Sequence, residues 1–212
     1  MTQGSEHART CAILGSMYPT ALAEVLEAQE TLGQAIETAD LGLDSRCPGW
    51  QVRDVLNHSI AVTLKFAAFA RGDTDTPRTP KGDHLGTDHR AALRDAATTA
   101  QDAWVGTDLD RTCHLPFGSY PASTAAGINL FDVLAHCWDI AGPTRNLLAI
   151  PDHLWEAGLT AAHAVIGHER DLDHYGTPLE VAAAASPAEK FLAFLGRSDD
   201  TSVPSTTPQP PQ

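Results

Sequence analysis

Two aspartate–histidine pairs in this chain repeat one spacing, Asp54-Val-Leu-Asn-His58 and Asp132-Val-Leu-Ala-His136. On a helix, residues four apart lie one turn above the other on a single face. A neutral imidazole suits zinc, nickel or iron, and a carboxylate offsets the charge of a divalent ion. Two histidines and one carboxylate leave coordination positions open for water or substrate, as a catalytic metal requires. The same spacing also serves for a surface hydrogen bond, so the pairs alone leave both readings open. At about 100° per residue, both histidines fall roughly 120° to the same side of their helix's apolar centre. Facing edges of two such helices in a bundle would gather imidazoles and carboxylates around one point.

The elements that must position these pairs are helical. Leu22, Val25, Leu26, Leu32 and Ile36 recur at helical spacing and predict a first helix over residues 18–39. A second runs from near Trp50 to Arg71 and ends at Gly72, with Val52, Val55, Leu56, Ile60, Val62 and Phe66 as its apolar stripe. The stretch 72–88 is rich in Gly, Asp, Thr and Pro and reads as a long surface loop. A third helix is expected over 89–104, an extended or irregular connection over 108–123, and a fourth helix over 122–141, stopped by Gly142-Pro143. Pro151 opens a fifth helix reaching about Glu169. Ser186-Pro-Ala-Glu189 has the pattern of a capping box and opens a short last helix closed by Gly196. The expected fold is all-α, an up-and-down four-helix bundle over 18–197 with short accessory helices. An N-terminal arm, 1–17, precedes it, and a tail over 198–212 with little to bury is expected to be disordered.

Composition agrees and excludes several functions. Lys and Arg number 14 against 27 Asp and Glu, a net charge of −13 over 212 residues. Such a balance repels a polyphosphate backbone, so nucleic acid is not an expected partner. The chain is 42% hydrophobic and 6% aromatic, and its 33 alanines favour helix over strand. No run approaches the roughly 20 apolar residues of a membrane span, and Cys11 to Leu14 is too short for a signal-peptide core. Cys11, Cys47, Cys113 and Cys137 form no CxxC pair, which argues against a disulfide framework or a cysteine zinc site. The cytoplasm is the expected compartment.

Other chemistry-bearing residues carry less. His163 and His168 are five apart, about 140° around a helix, and make no metal face. His84 and His89, with Asp83 and Asp88, offer either a second ion site or a solvated loop. Cys137 falls on the apolar face of helix four and reads as core. Cys113, beside His114, is weighed as a thiol near a cavity mouth. The four tryptophans read as packing residues, with Trp138 also a candidate to line a pocket.

Two signatures and an ending carry a resemblance. Cys47-Pro-Gly-Trp-Gln-Val-Arg-Asp-Val-Leu-Asn-His58 resembles the opening of helix two in the DinB/YfiT-like metalloenzymes. Asp132-Val-Leu-Ala-His-Cys-Trp-Asp-Ile-Ala141, followed by Ile150-Pro151, resembles the second signature of that group. Ala185-Ser-Pro-Ala-Glu-Lys-Phe-Leu-Ala-Phe-Leu-Gly-Arg197 resembles the C-terminus of its actinobacterial branch, which is related to the N-terminal domain of mycothiol-dependent maleylpyruvate isomerase. The similarity spans residues 15–197.

The resemblance implies a four-helix bundle holding a divalent metal, zinc most of all, with nickel or iron as alternatives. Its ligands would be His58 from helix two and the pair Asp132 and His136. Asp132 stands where many relatives have Glu or His, and its shorter arm brings the metal nearer helix four or lowers affinity. Asp54 and Asp139 are candidates to orient an imidazole through its second nitrogen, and capping or surface hydrogen bonds explain them equally. The resemblance further implies a small-molecule substrate and a thiol of the mycothiol type as co-substrate, in an S-transferase or a thiol-assisted isomerase. Only 26 residues follow Ser186, so no counterpart of that isomerase's C-terminal domain is expected. Three points stay open. The reaction can be another metal-assisted one (hydrolysis, cyclisation or oxygen chemistry), the bundle can be a non-catalytic stress or regulatory protein, and the chain can form a homodimer.

Overall fold

The computed structural model describes residues 20–36, 40–77, 81–144, 150–166, 170 and 175–198. The N-terminal arm with Cys11, the tail beyond Ser198, the expected end of helix five and His168 lie outside these residues. Six helices and one hairpin follow in order: α1 Thr20–Ala35, α2 Val52–Arg71, α3 His89–Trp104, β1 Thr112–Leu115, β2 Gly118–Pro121, α4 Ala122–Thr144, α5 Asp152–Ile166 and α6 Pro187–Phe194. The all-α expectation holds, with one two-stranded sheet added among the described residues.

Each helix forms because its apolar residues recur on one face. Val25, Ala28 and Leu32 of α1 and Ile36 just past its end are buried, as is the whole expected stripe of α2. In α3 the buried face is Leu93, Ala96, Ala100, Ala103 and Trp104. The N-terminus of α3 is capped by Asp88, whose Oδ1 accepts the Ala91 N–H at 2.9 Å, and α2 ends at the left-handed Gly72, φ 95°. α4 is buried nearly all round, from Ala122 to Ile140, and forms the centre of the molecule. It packs on α1, α2 and α5, while α3 packs on α1 and α2, and α6 covers α5. The order around the bundle is therefore α1, α3, α2, α4. Consecutive α1 and α2 face one another across the core, where Gln29 of α1 donates to Thr63 of α2 at 3.5 Å.

Two local outcomes differ from expectation for physical reasons. The irregular connection before helix four is a hairpin, with Thr112 opposite Pro121 and Leu115 opposite Gly118. Cys113 and Leu115 point inward while Thr112 and His114 face out, the alternation of a half-buried strand. Backbone bonds from Ala122 N to Arg111 O (2.8 Å) and from Ser123 N to Leu109 O (3.0 Å) lead the chain from this hairpin directly into α4. The fourth helix also runs through Gly142-Pro143 to Thr144. Pro143 has no N–H to donate to the carbonyl of Asp139, and that carbonyl instead accepts the Arg46 N–H at 3.1 Å. The proline's cost is thereby met from outside the helix.

Near the sequence pair on α2, the loop 81–86 is tied down by Asn57. Its Oδ1 accepts the His84 and Leu85 N–H groups at 2.7 and 3.2 Å, and its Nδ2 donates to Gly82 O at 3.0 Å. Among the described residues, no helix is long and apolar enough to cross a membrane.

Leu134 of α4 fills the notch left by Gly158 of α5, where a Cβ would come within 2.6 Å of its Cδ1 and 3.1 Å of the Phe191 ring of α6. Leu134→Ala is expected to cost about 2–5 kcal/mol, because three packed helices leave the cavity little room to collapse. Urea denaturation measures this as a lowered midpoint at unchanged slope.

Candidate metal centre

The ring order brings α2 and α4 side by side, and with them both sequence pairs. His58 Nε2 lies 3.8 Å from Asp132 Oδ1, and His136 Nε2 lies 3.8 Å from the same oxygen. The two imidazole centroids are 4.9 Å apart at 76°. One ligand atom from each of His58, Asp132 and His136 falls within 4.8 Å of the others, the span over which a single ion is held. The side chains of His58 and Asp132 keep 28% and 24% of their surface exposed, against 10% for His136, so the cluster opens to solvent on its His58 side. Trp50 stands beside that opening, its ring 5.4 Å from His58.

The residues suit an ion on a further observation. Asp132 Oδ2 is buried and has no hydrogen-bond partner. A buried carboxylate oxygen left unpaired is costly, and a cation taking both oxygens of Asp132 would satisfy it. Charge in the cluster is coupled accordingly. Burial alone would raise the Asp132 carboxyl, but the neighbouring His136 charge and the contact with His58 hold it down at about 2. Burial would likewise depress His136, yet Asp132, Asp139 and Cys47 together push it up to about 10. His58 goes the other way: burial lowers it below the ordinary histidine value, and Asp132 offsets this only in part. Without an ion, the proton of this cluster therefore resides on His136.

Behind His136 lies a second layer of which the sequence offers only Asp139 as a candidate. Its Nδ1 meets Asp139 Oδ2 at 3.0 Å, which turns Nε2 toward Asp132 and His58. Asp139 is fully buried. It accepts Arg197 Nε on Oδ1 at 3.2 Å and Arg197 Nη2 on Oδ2 at 3.1 Å, and the Cys47 thiol donates to Oδ2 at 3.1 Å. Burial would raise this carboxyl, but the Arg197 guanidinium and His136 hold it well below the usual range. The Cys47 thiol is pushed up by burial and by Asp139, so it stays protonated and donates. Cys47, His136 and Asp139 also fall within a metal's span. The Arg197 fork already neutralises Asp139 there, and its guanidinium would repel a second cation.

Of the two aspartates considered for orienting an imidazole, the structure gives them separate work. Asp139 holds His136, whereas exposed Asp54 accepts the Gln51 N–H at 2.9 Å and serves the start of α2. The loop candidates separate as well: Asp83 accepts Leu85 and Gly86 N–H groups and pairs with Arg53, and Asp88 caps α3. Cys137 is core. Cys113 is buried on β1 with its thiol 3.6 Å from Phe69 O. His163 stacks at 4.0 Å on Phe194. Trp138 carries the Arg46 guanidinium 4.1 Å above its ring.

The buried carboxylate sets an acid limit on stability. Its folded value lies below the unfolded one, so Asp139 stabilises the fold fully above the ordinary aspartate range of about 4 and loses that contribution as pH falls through the folded value. Asp139→Asn leaves Arg197 buried without its counter-charge and is expected to cost about 3–5 kcal/mol at neutral pH. Denaturant titrations at neutral pH and near pH 2 check both statements, the penalty shrinking on the acid side.

Comparisons with known proteins agree with this frame. The family model of the mycothiol maleylpyruvate isomerase N-terminal domain matches residues 22–141, more than half of the chain. Two uncharacterised proteins from two strains of Mycobacterium tuberculosis are each 27% identical over 170 residues, covering 77% of this chain and 88% of theirs. Two crystal structures of the mycothiol-dependent maleylpyruvate isomerase share the fold at a TM-score of 0.52. One is of a variant, at 18% identity over 70% of this chain and 69% of that one; the other is at 16% over 90% and 95%. The matched span contains α2, α4 as far as Ala141 and all three side chains of the cluster, and the chain belongs to the mycothiol maleylpyruvate isomerase N-terminal domain family.

Proposed function

We propose that this chain is a metal-dependent enzyme acting on a small molecule, with a low-molecular-weight thiol of the mycothiol type as co-substrate, in thiol-assisted isomerisation or S-transfer. The observation that carries the reading is the convergence of His58, Asp132 and His136, with Asp132 Oδ2 left unpaired, inside a domain of the mycothiol isomerase family. A divalent ion held there, zinc first and nickel or iron as alternatives, would supply Lewis acidity and stabilise a thiolate at neutral pH.

The chain's own residues have definite parts in this reading. His136 is oriented by Asp139, Asp132 supplies the negative charge, and His58 on the more open side completes the set. Trp50 walls the opening with an apolar face against which a substrate would lie. Among the described residues the thiols Cys47, Cys113 and Cys137 are buried and offer no accessible nucleophile, and in this reading the reacting thiol is the small-molecule co-substrate. The cytoplasm, where a small-thiol pool is kept reduced, is the compartment this reading requires.

Elemental mass spectrometry on tag-free protein tests it first. The expected result is near one equivalent of metal in the parent and little in His58→Ala and His136→Ala. A parent that takes up neither zinc, nickel nor iron would sink the reading. Mycothiol with maleylpyruvate, the substrate named for the structural relatives, is then the first assay for the loaded protein.

The same geometry fixes the pH dependence of loading. The ion must displace the proton that His136 holds up to about 10, while His58 is already neutral. Metal affinity should therefore rise about tenfold per pH unit between roughly pH 7 and 9, with about one proton released per ion. Calorimetry in buffers of differing ionisation enthalpy counts that proton.

A further inference from the structure

We propose that Arg197, far from the ligands in sequence and outside the span matched by the family model, is the positioning residue of the His58–Asp132–His136 cluster, acting through Asp139. The inference rests on the metal reading above.

The short helix α6 is built to deliver this side chain. Ser186 and Glu189 close a reciprocal box at its start. At its end the Gly196 N–H donates to Ala193 O (3.0 Å) and the Arg197 N–H donates to Leu192 O (2.8 Å), the paired bonds of a Schellman motif. Gly196 sits at φ 78°, and a Cβ there would come within 2.7 Å of the Gly176 backbone. Only glycine fits that turn, and the residue after it is thereby aimed inward. Arg197 is 7% exposed, an unusual burial for an arginine, and its fork engages both oxygens of a carboxylate that is itself sealed from water.

The geometry makes Arg197 a determinant of His136 orientation. Asp139 has three side-chain partners, and Oδ2 is shared by His136, Cys47 and Arg197. Two contacts from the guanidinium fix the plane of the carboxylate, and that plane sets where Oδ2 meets Nδ1 of His136. Carboxylate partners of this kind typically change metal affinity by about 10- to 100-fold when removed. Coulomb attraction alone predicts a different pattern, because a cation near the cluster opposes a divalent ion. Positioning and charge are therefore separable.

The experiment uses Co(II) as the probe ion, read by its visible absorption bands and by competition against a chelating indicator. Arg197→Lys keeps the charge and loses the fork. The double variant Asp139→Asn with Arg197→Met removes one charge of each sign and leaves no buried ion unpaired. Thermal unfolding first establishes that both fold. The expected result is a several-fold weaker affinity in Arg197→Lys, a loss of about 10- to 100-fold in the double variant, and shifted absorption bands in both. Folded variants with the parent's affinity and spectrum would overturn the positioning role while leaving the metal reading intact. A parent that binds no Co(II) would overturn both.

Discussion

A carboxylate with no exposure to water must be neutralised inside the protein or it will not stay ionised. Asp139 meets that demand with a guanidinium, an imidazole and a thiol, and its backbone carbonyl takes the Arg46 amide. The segment before α2, the central helix α4 and the end of α6 are therefore joined at one residue. The cluster on the solvent side of His136 inherits its rigidity from this joint. Well-placed ligands need a second layer that does not move, and here that layer holds the most buried charge among the described residues.

The fold was legible where periodicity governs. The α2 stripe and its stop at Gly72, α3 from His89 to Trp104, and the Ser186 box all follow from apolar spacing and cap chemistry. The hairpin was not, because four-residue strands punctuated by Pro and Gly carry too little alternation to separate from a loop. The passage of α4 through Pro143 was equally hidden, since the amide that relieves the proline comes from Arg46, far away in sequence.

The candidate cluster divides along the same line. Its three members lie within two local Asp–His pairs, a pattern repeated on two helices, and the family resemblance rather than spacing separates them from Asp54. Their support was not. Cys47 and Asp139 are 92 residues apart, Arg197 and Asp139 are 58 apart, and neither distance bears any periodic mark. Asp139 itself, three residues after His136, was readable as a candidate and shares its spacing with an ordinary surface bond. The structure decides between those roles by burial.

The separations that hid this joint also order its formation in time. A joint that closes loops of 58 and 92 residues cannot be completed until all of its segments have been made. During synthesis His58, Asp132 and His136 all emerge ahead of Arg197, and the chain grows from its N-terminus at about 5–20 residues per second. For several seconds the nascent polypeptide thus carries every donor of the cluster without the residue that fixes their geometry. On the metal reading proposed above, the donors are complete before the residue that positions them.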